Sequence, residues 1–147
     1  MPAPDTMAHM RMLLLAMILV PLGCNQPNFD PSKARGAYPY DLHSTTTIPV
    51  EVFRDGTTIT IMNSTAGGWV DATIWINQRF SAPISGIAAG QMIEMDLVDF
   101  RDNIGESYPA GGLWATRRTM PVRLVELQAN ADEPLVGLIA IRQNDLD

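Results

Sequence analysis

The chain reads as an all-β protein whose body is a single antiparallel β-sandwich of six or seven short strands, placed after a cleaved signal and a flexible tether. Three observations predict this. From Ile48 onward the apolar residues recur with a period close to two, and no long segment repeats them at helical spacing. Turn-forming clusters divide that pattern at Asp55-Gly56, Ser64 to Gly68, Gly86 to Gly90 and Ala129 to Pro134. Ahead of it lies one short apolar run, followed by a proline- and threonine-rich stretch with no periodic apolar face.

The apolar run comes first in the chain. Arg11 precedes Met12 to Leu22, which is far short of the roughly 20 residues that cover a bilayer core. A cation, a short apolar core and a small residue before a processing point together mark an export signal that is later removed. Here the point is Gly23-Cys24. At these residues the chain resembles bacterial lipoprotein precursors, whose signals end in a small residue followed by a cysteine that becomes the lipid-bearing N-terminus. The resemblance implies residues 1–23 as signal peptide, Cys24 as the site of lipidation with palmitate-type acyl chains, and a place in the cell envelope. The outer membrane is favoured, with the body facing the periplasm or the surface. Pro21 and Leu22 depart from the pattern, which usually has Leu three residues before the cysteine and a small residue two before it. Cys24 is also the single cysteine, so no intramolecular disulfide can form and burial alone must hold the fold.

Residues 24–47 then read as a tether. Pro27, Pro31 and Pro39 interrupt regular structure, and Ser44 to Thr47 offers nothing to bury. A flexible chain of that length spans roughly 25 Å on average and about 75 Å when stretched. Tyr38-Pro39-Tyr40 is the exception, with rings expected to pack on the flank of the body.

The body is assigned to residues 48–147. Ile48 to Phe53 is the first strand, turned at Asp55-Gly56 into Thr57 to Asn63, where Ile59 and Ile61 share one face. Trp69 to Asn77 is the most strongly alternating segment: Val70, Ala72, Ile74 and Ile76 lie on one face, and Trp69, Asp71, Thr73, Trp75 and Asn77 on the other. Pro83 and Gly86 to Gly90 are read as loop before a strand at Met92 to Val98. Met120 to Leu127 and Leu135 to Arg142 complete the set. The pattern around Trp75, followed by Asn77-Gln78-Arg79 and the Gly90 turn, resembles immunoglobulin-like and fibronectin-like sandwiches, which implies a core position for Trp75. A strand apolar on both sides reconciles that with the face assignment. Trp75 to Phe80, Asp99 to Glu106, Ala110 to Gly112 and Arg123 to Leu127 also resemble uncharacterised small envelope proteins of planctomycete-type bacteria, a likeness that implies no activity.

Ten basic against sixteen acidic residues give a net charge of −6, which argues against nucleic acid, since phosphates demand a basic footprint. For catalysis the parts are few. His43 is the one histidine after the signal and sits beside Ser44 in the tether-like stretch; no Gly-x-Ser-x-Gly elbow, phosphate-cradling glycine loop or histidine pair accompanies it. Glu94 and Glu126 form a conceivable carboxylate pair for a small hydrolase. Asp96, Asp99, Asp102, Asn103 and Glu106 offer hard oxygen ligands suited to calcium, without the order of an EF-hand loop; the other reading is a solvated loop with Asp–Arg pairs to Arg101, and Phe100 and Ile104 plugging the bottom of the sandwich. Trp69, Trp75 and Trp114 are the candidate ligand contacts, since an exposed indole beside polar groups suits sugar stacking or a protein hot spot, with core packing as the other reading. The functional expectation is a binding or scaffolding module with a protein or carbohydrate partner in the envelope, with no catalytic residues and no cofactor. An accessory subunit of a larger assembly is the alternative.

Overall fold

Alternation between buried and half-exposed side chains carries through most of the body and builds seven strands. They are β1 (Thr47–Asp55), β2 (Thr58–Asn63), β3 (Trp69–Ile76), β4 (Phe80–Ile87), β5 (Met92–Asp96), β6 (Val125–Gln128) and β7 (Val136–Ile141). The structure is a computed structural model that describes residues 28–113, 115 and 117–141. Residues 1–23, read from sequence as a signal peptide, together with Cys24 and Trp114, lie outside the described residues. Among those described, helix is limited to three single 3-10 turns, and no helix is long and apolar enough to cross a membrane.

All seven strands join one sheet in the order β4-β3-β6-β7-β1-β2-β5. Every pairing is antiparallel except that of β1 with β7, which is parallel. The sheet is therefore mixed and curls towards a barrel, where the sequence suggested a purely antiparallel sandwich. The parallel seam slips register between Thr47 and Glu51, and Pro49, which has no N–H to give, lies in that interval. Gly137 lets the two strands approach, since its N–H donates to the Thr46 carbonyl at 2.7 Å and a Cβ would meet Thr47 Oγ1 at 3.2 Å.

The core follows from the periodicity. Val50 and Val52 from β1, Ile59 and Ile61 from β2, and Ile74 and Ile76 from β3 are almost fully buried in one apolar cluster, with Phe80, Leu97, Phe100, Val125 and Leu127 around them. Fully burying an aliphatic side chain contributes roughly 1.5–3 kcal/mol, so this cluster is the main source of stability.

Four differences from the sequence reading have local causes. β4 occupies a stretch read as loop. Pro83 is tolerated there because β4 is the outermost strand, where a missing N–H need not interrupt a ladder, and Gly86 is needed because a Cβ would come within 2.7 Å of the Trp69 carbonyl. Val70 is 76% exposed rather than in the core. Asp71 adopts φ 53, a left-handed conformation that breaks the pleat and swaps the two residues before it, turning Trp69 inward and Val70 outward. Ile104 is 53% exposed, so Phe100, with Leu97 and Tyr108 beside it, plugs that end of the body without it. The sixth strand starts at Val125, because residues 120–124 cross over as irregular chain.

A fifth difference is the largest. Residues 28–47, whose composition suggests a tether, are bonded along the body. Asp30 N–H donates to Gly105 O at 3.0 Å, Ser107 N–H to Asn28 O at 2.8 Å, Arg35 N–H to Asp102 O at 2.9 Å and Leu135 N–H to Leu42 O at 2.9 Å. Gly105, at φ 91, sits directly against Asp30, where any Cβ would collide with the Asp30 carbonyl. This arm climbs from the 102–107 loop to the start of β1.

Ile74 is fully buried in the centre of β3, so Ile74→Ala is expected to cost about 2–5 kcal/mol by cavity formation, read as a lowered midpoint in urea unfolding at unchanged slope.

Candidate functional site

Glu126 is the residue that the local sequence would not place in an interior. It stands between Val125 and Leu127 on β6, and alternation turns it to the face opposite the main core, where it is 1% exposed. A buried carboxylate is costly unless it is hydrogen-bonded. Its partners come from the arm. The Tyr38 hydroxyl donates to the carboxylate, 2.9 Å from Oε1 and 2.8 Å from Oε2, and His43 Nδ1 lies 2.8 Å from Oε1. With Glu126 ionised, the short His43 contact requires the proton on Nδ1. Burial first, and then the bond to Glu126, push the Tyr38 hydroxyl well above the ordinary tyrosine range, so it stays neutral and donating.

Apolar side chains close around this group. Tyr38, Trp75 and Leu135 form a second, smaller core with Leu42 packed on it. Tyr38 meets Trp75 edge to face at 5.4 Å and Tyr40 at 4.8 Å. Trp75 Nε1 donates to Gln128 Oε1 at 3.1 Å, and Gln128 Nε2 donates in turn to Ala131 O at 3.0 Å. Strand β3 is thus apolar on both sides from Ile74 to Ile76.

A second polar group pins the loops where the arm begins. Asp102, 1% exposed, accepts from Arg79 Nε at 3.1 Å and Nη2 at 2.8 Å through one oxygen, and from the N–H groups of Ile104 at 3.1 Å and Glu106 at 2.8 Å through the other. Burial raises its pKa, but the bonds from Arg79 and the two amides outweigh that and hold it below the usual carboxylate range. Glu106 lies between Arg79 and Arg117. Beside this group the tip of the β3–β4 hairpin is held by Asn77, at φ 52, whose Oδ1 accepts from Arg123 N–H at 2.9 Å and whose Nδ2 donates to Pro121 O at 2.8 Å. Arg54 gathers the neighbouring loops through the carbonyls of Gly56, Ala110 and Met120.

The sequence-derived candidates are distributed as follows. Trp75 is buried at 5% exposure and cannot stack on a ligand; Trp69 is half-buried against the main core. Of the five possible calcium ligands, Asp102 has both oxygens committed and Glu106 is held by two arginines, while Asp96, Asp99 and Asn103 are exposed. Among the described residues no group of three or more His, Cys, Asp or Glu side chains is arranged to hold a metal ion. Glu94 is exposed on β5, and β7, β1 and β2 separate it from Glu126 in the sheet order, so the two do not form a carboxylate pair. The Ser44 hydroxyl donates to Leu135 O at 2.5 Å rather than turning to His43. The Tyr38–His43–Glu126 group escaped the sequence reading. Its one signal was an acid set inside an apolar strand.

No family model, no curated protein and no solved structure matches this chain.

Tyr38→Phe leaves the ring in place and removes one donor from a buried carboxylate. A loss of about 1–3 kcal/mol in denaturant unfolding is expected, with the larger share shown by protease access to residues 28–47. For Asp102 the folded-state pKa is depressed below that of an unfolded aspartate, so its contribution is present above the unfolded pKa and is lost as pH falls through the folded pKa. Asp102→Asn is expected to lower stability at pH 7 and to flatten the decline of the melting temperature below about pH 4.

Proposed function

We propose that this chain is a lipid-anchored cell-envelope protein whose β body is a binding or scaffolding module rather than an enzyme. The observation that carries the reading is Gly23-Cys24 at the end of an apolar run too short to span a bilayer. Acyl chains on Cys24 would supply the multiple hydrophobic anchors that stable attachment needs. The strand order favours an immunoglobulin-like sandwich for the body, since β1-β2-β5 and β4-β3-β6-β7 group as the two sheets of such folds do, with the β1–β7 pair as the seam.

One observation favours the accessory-subunit variant of this reading. Among the described residues β5 has β2 as its only strand partner, so the other edge of Met92–Asp96 offers backbone donors and acceptors to an added strand. At the opposite end of the order, β4 is partly closed by Arg101, which exchanges two backbone bonds with Ser81.

Replacing Cys24 by Ser in the producing cell is expected to abolish incorporation of labelled fatty acid and to release the protein from the membrane fraction. Equal label in both versions overturns lipidation.

A further inference from the structure

We propose that the end of the body carrying Phe29, Val98, Ile104 and Leu113 rests on an anionic lipid surface. The inference takes the position of the anchor from the lipidation of Cys24 proposed above; the contact face itself is read from the fold. Strand directions fix two ends. The β1–β2 and β3–β4 turns, the 97–110 loop and the 121–124 crossover share one end, because Asp55 pairs with Thr58, Ile76 with Phe80 and with Val125, and Thr58 with Asp96. The 63–68 and 88–91 loops share the other, tied together by Asn63 Nδ2, which donates to Gly67 O at 2.8 Å and Ala88 O at 3.0 Å.

The arm starts at the first of these ends. Asn28 and Asp30 are bonded to residues 105–107, and Phe29 pairs with Glu106. Four peptide steps separate Cys24 from Asn28, a distance of at most about 14 Å when extended. An acylated Cys24 therefore holds this end close to the headgroups, where a free tether through residue 47 would have let the body stand off.

The surface presented there suits the contact. Phe29 is 44% exposed, Val98 45%, Ile104 53% and Leu113 90%, and Asn28, Val98, Leu113 and Arg117 line one shared groove. Such side chains on irregular chain have nothing in water to gain, whereas partition into the interfacial region of a bilayer removes them from water. Charge decides which lipid. Asp102 and Glu106 are offset by Arg79 and Arg117, and exposed Lys33, Arg35, Arg118 and Arg123 match Asp30, Asp55, Asp96 and Asp99. Arg54 and Arg101, bonded to loop carbonyls, then leave this end with an excess of two cations. A chain of net charge −6 thus turns a basic end towards the position of its anchor. The opposite end also exposes apolar side chains, Val70 and Met92, but beside Asp71 and Glu94, which an anionic surface repels.

The experiment uses full-length protein with Ile104→Cys, Leu113→Cys or, as the control at the far end, Ala66→Cys. Acylation blocks the sulfur of Cys24, so an environment-sensitive fluorophore goes to the introduced thiol. The labelled proteins are reconstituted in phosphatidylglycerol vesicles that carry a headgroup-depth quencher. Quenching at 104 and 113 at least twofold above that at 66 is expected. Equal quenching at all three positions, or protection of 104 and 113 by self-association without vesicles, overturns the inference. Mass spectrometry of the same samples reads acylation separately. The same labels in Cys24→Ser test the face without the acyl anchor: preferential quenching at 104 and 113 there retains the contact and removes only the lipidation, and its absence in both forms removes the contact.

Discussion

The carboxylate of Glu126 constrains more of this molecule than any other single group. Placed on β6 with its side chain away from the main core, it would face either water or a cover. The fold chooses a cover, and a buried carboxylate without donors would cost several kcal/mol. Tyr38 and His43 supply those donors, and neither belongs to the sheet. The arm is therefore obliged to lie across β3 and β6. Its other contacts follow from that path: Tyr38 on Trp75, Leu42 against the small second core, and the Leu42 carbonyl on the Leu135 amide. Because the arm covers this face, β3 is buried on both sides from Ile74 to Ile76.

Polar side chains also organise the end of the body where turns and crossovers gather. Arg54 and Asn77 bond backbone groups of loops remote in sequence, while Asp102 holds the amides of its own loop and the Arg79 guanidinium. Irregular chain lacks ladder partners, so such side chains are what satisfies it. With the backbone pinned, the apolar tips of these loops project on a defined surface, and the proposed contact with lipid depends on that definition. At the other end Asn63 does the same work alone, linking the 67 and 88 carbonyls across two turns. The two ends differ in chemistry: one carries an excess of cations with projecting apolar side chains, and the other has small-residue loops with Val70 and Met92 beside acidic Asp71 and Glu94.

The arrangement bears on how the proposed anchor would hold the body. A long loose tether gives a domain reach and free orientation. An arm fixed by Glu126 and by the 102–107 loop gives neither; it would transmit the position of the proposed anchor to one end of the body and leaves the β5 edge at the side. Scaffolding fits that geometry better than a search for distant ligands, because a fixed orientation presents the same edge to every neighbour.

Local pattern was enough for what depends on neighbours in sequence. The alternation of Ile59 and Ile61, of Ala72, Ile74 and Ile76, and of Val125 and Leu127 set the strands and the main core, and Asp55-Gly56 set the first hairpin. Periodicity is a property of consecutive residues, so sequence carries it directly. Strand β4 was hidden because Pro83 and Gly86 break strands in general and are tolerated only at a sheet edge, and edge position is decided by the whole sheet. The parallel β1–β7 seam joins the first and last strands, and no local signature marks it. The arm looked like tether because its composition is that of loops, and what orders it is a carboxylate 88 residues away from Tyr38. Sequence by itself determined the all-β class and the face that forms the core; only the tertiary structure decided what covers the other face, since that depends on pairing a buried charge with donors that lie far along the chain.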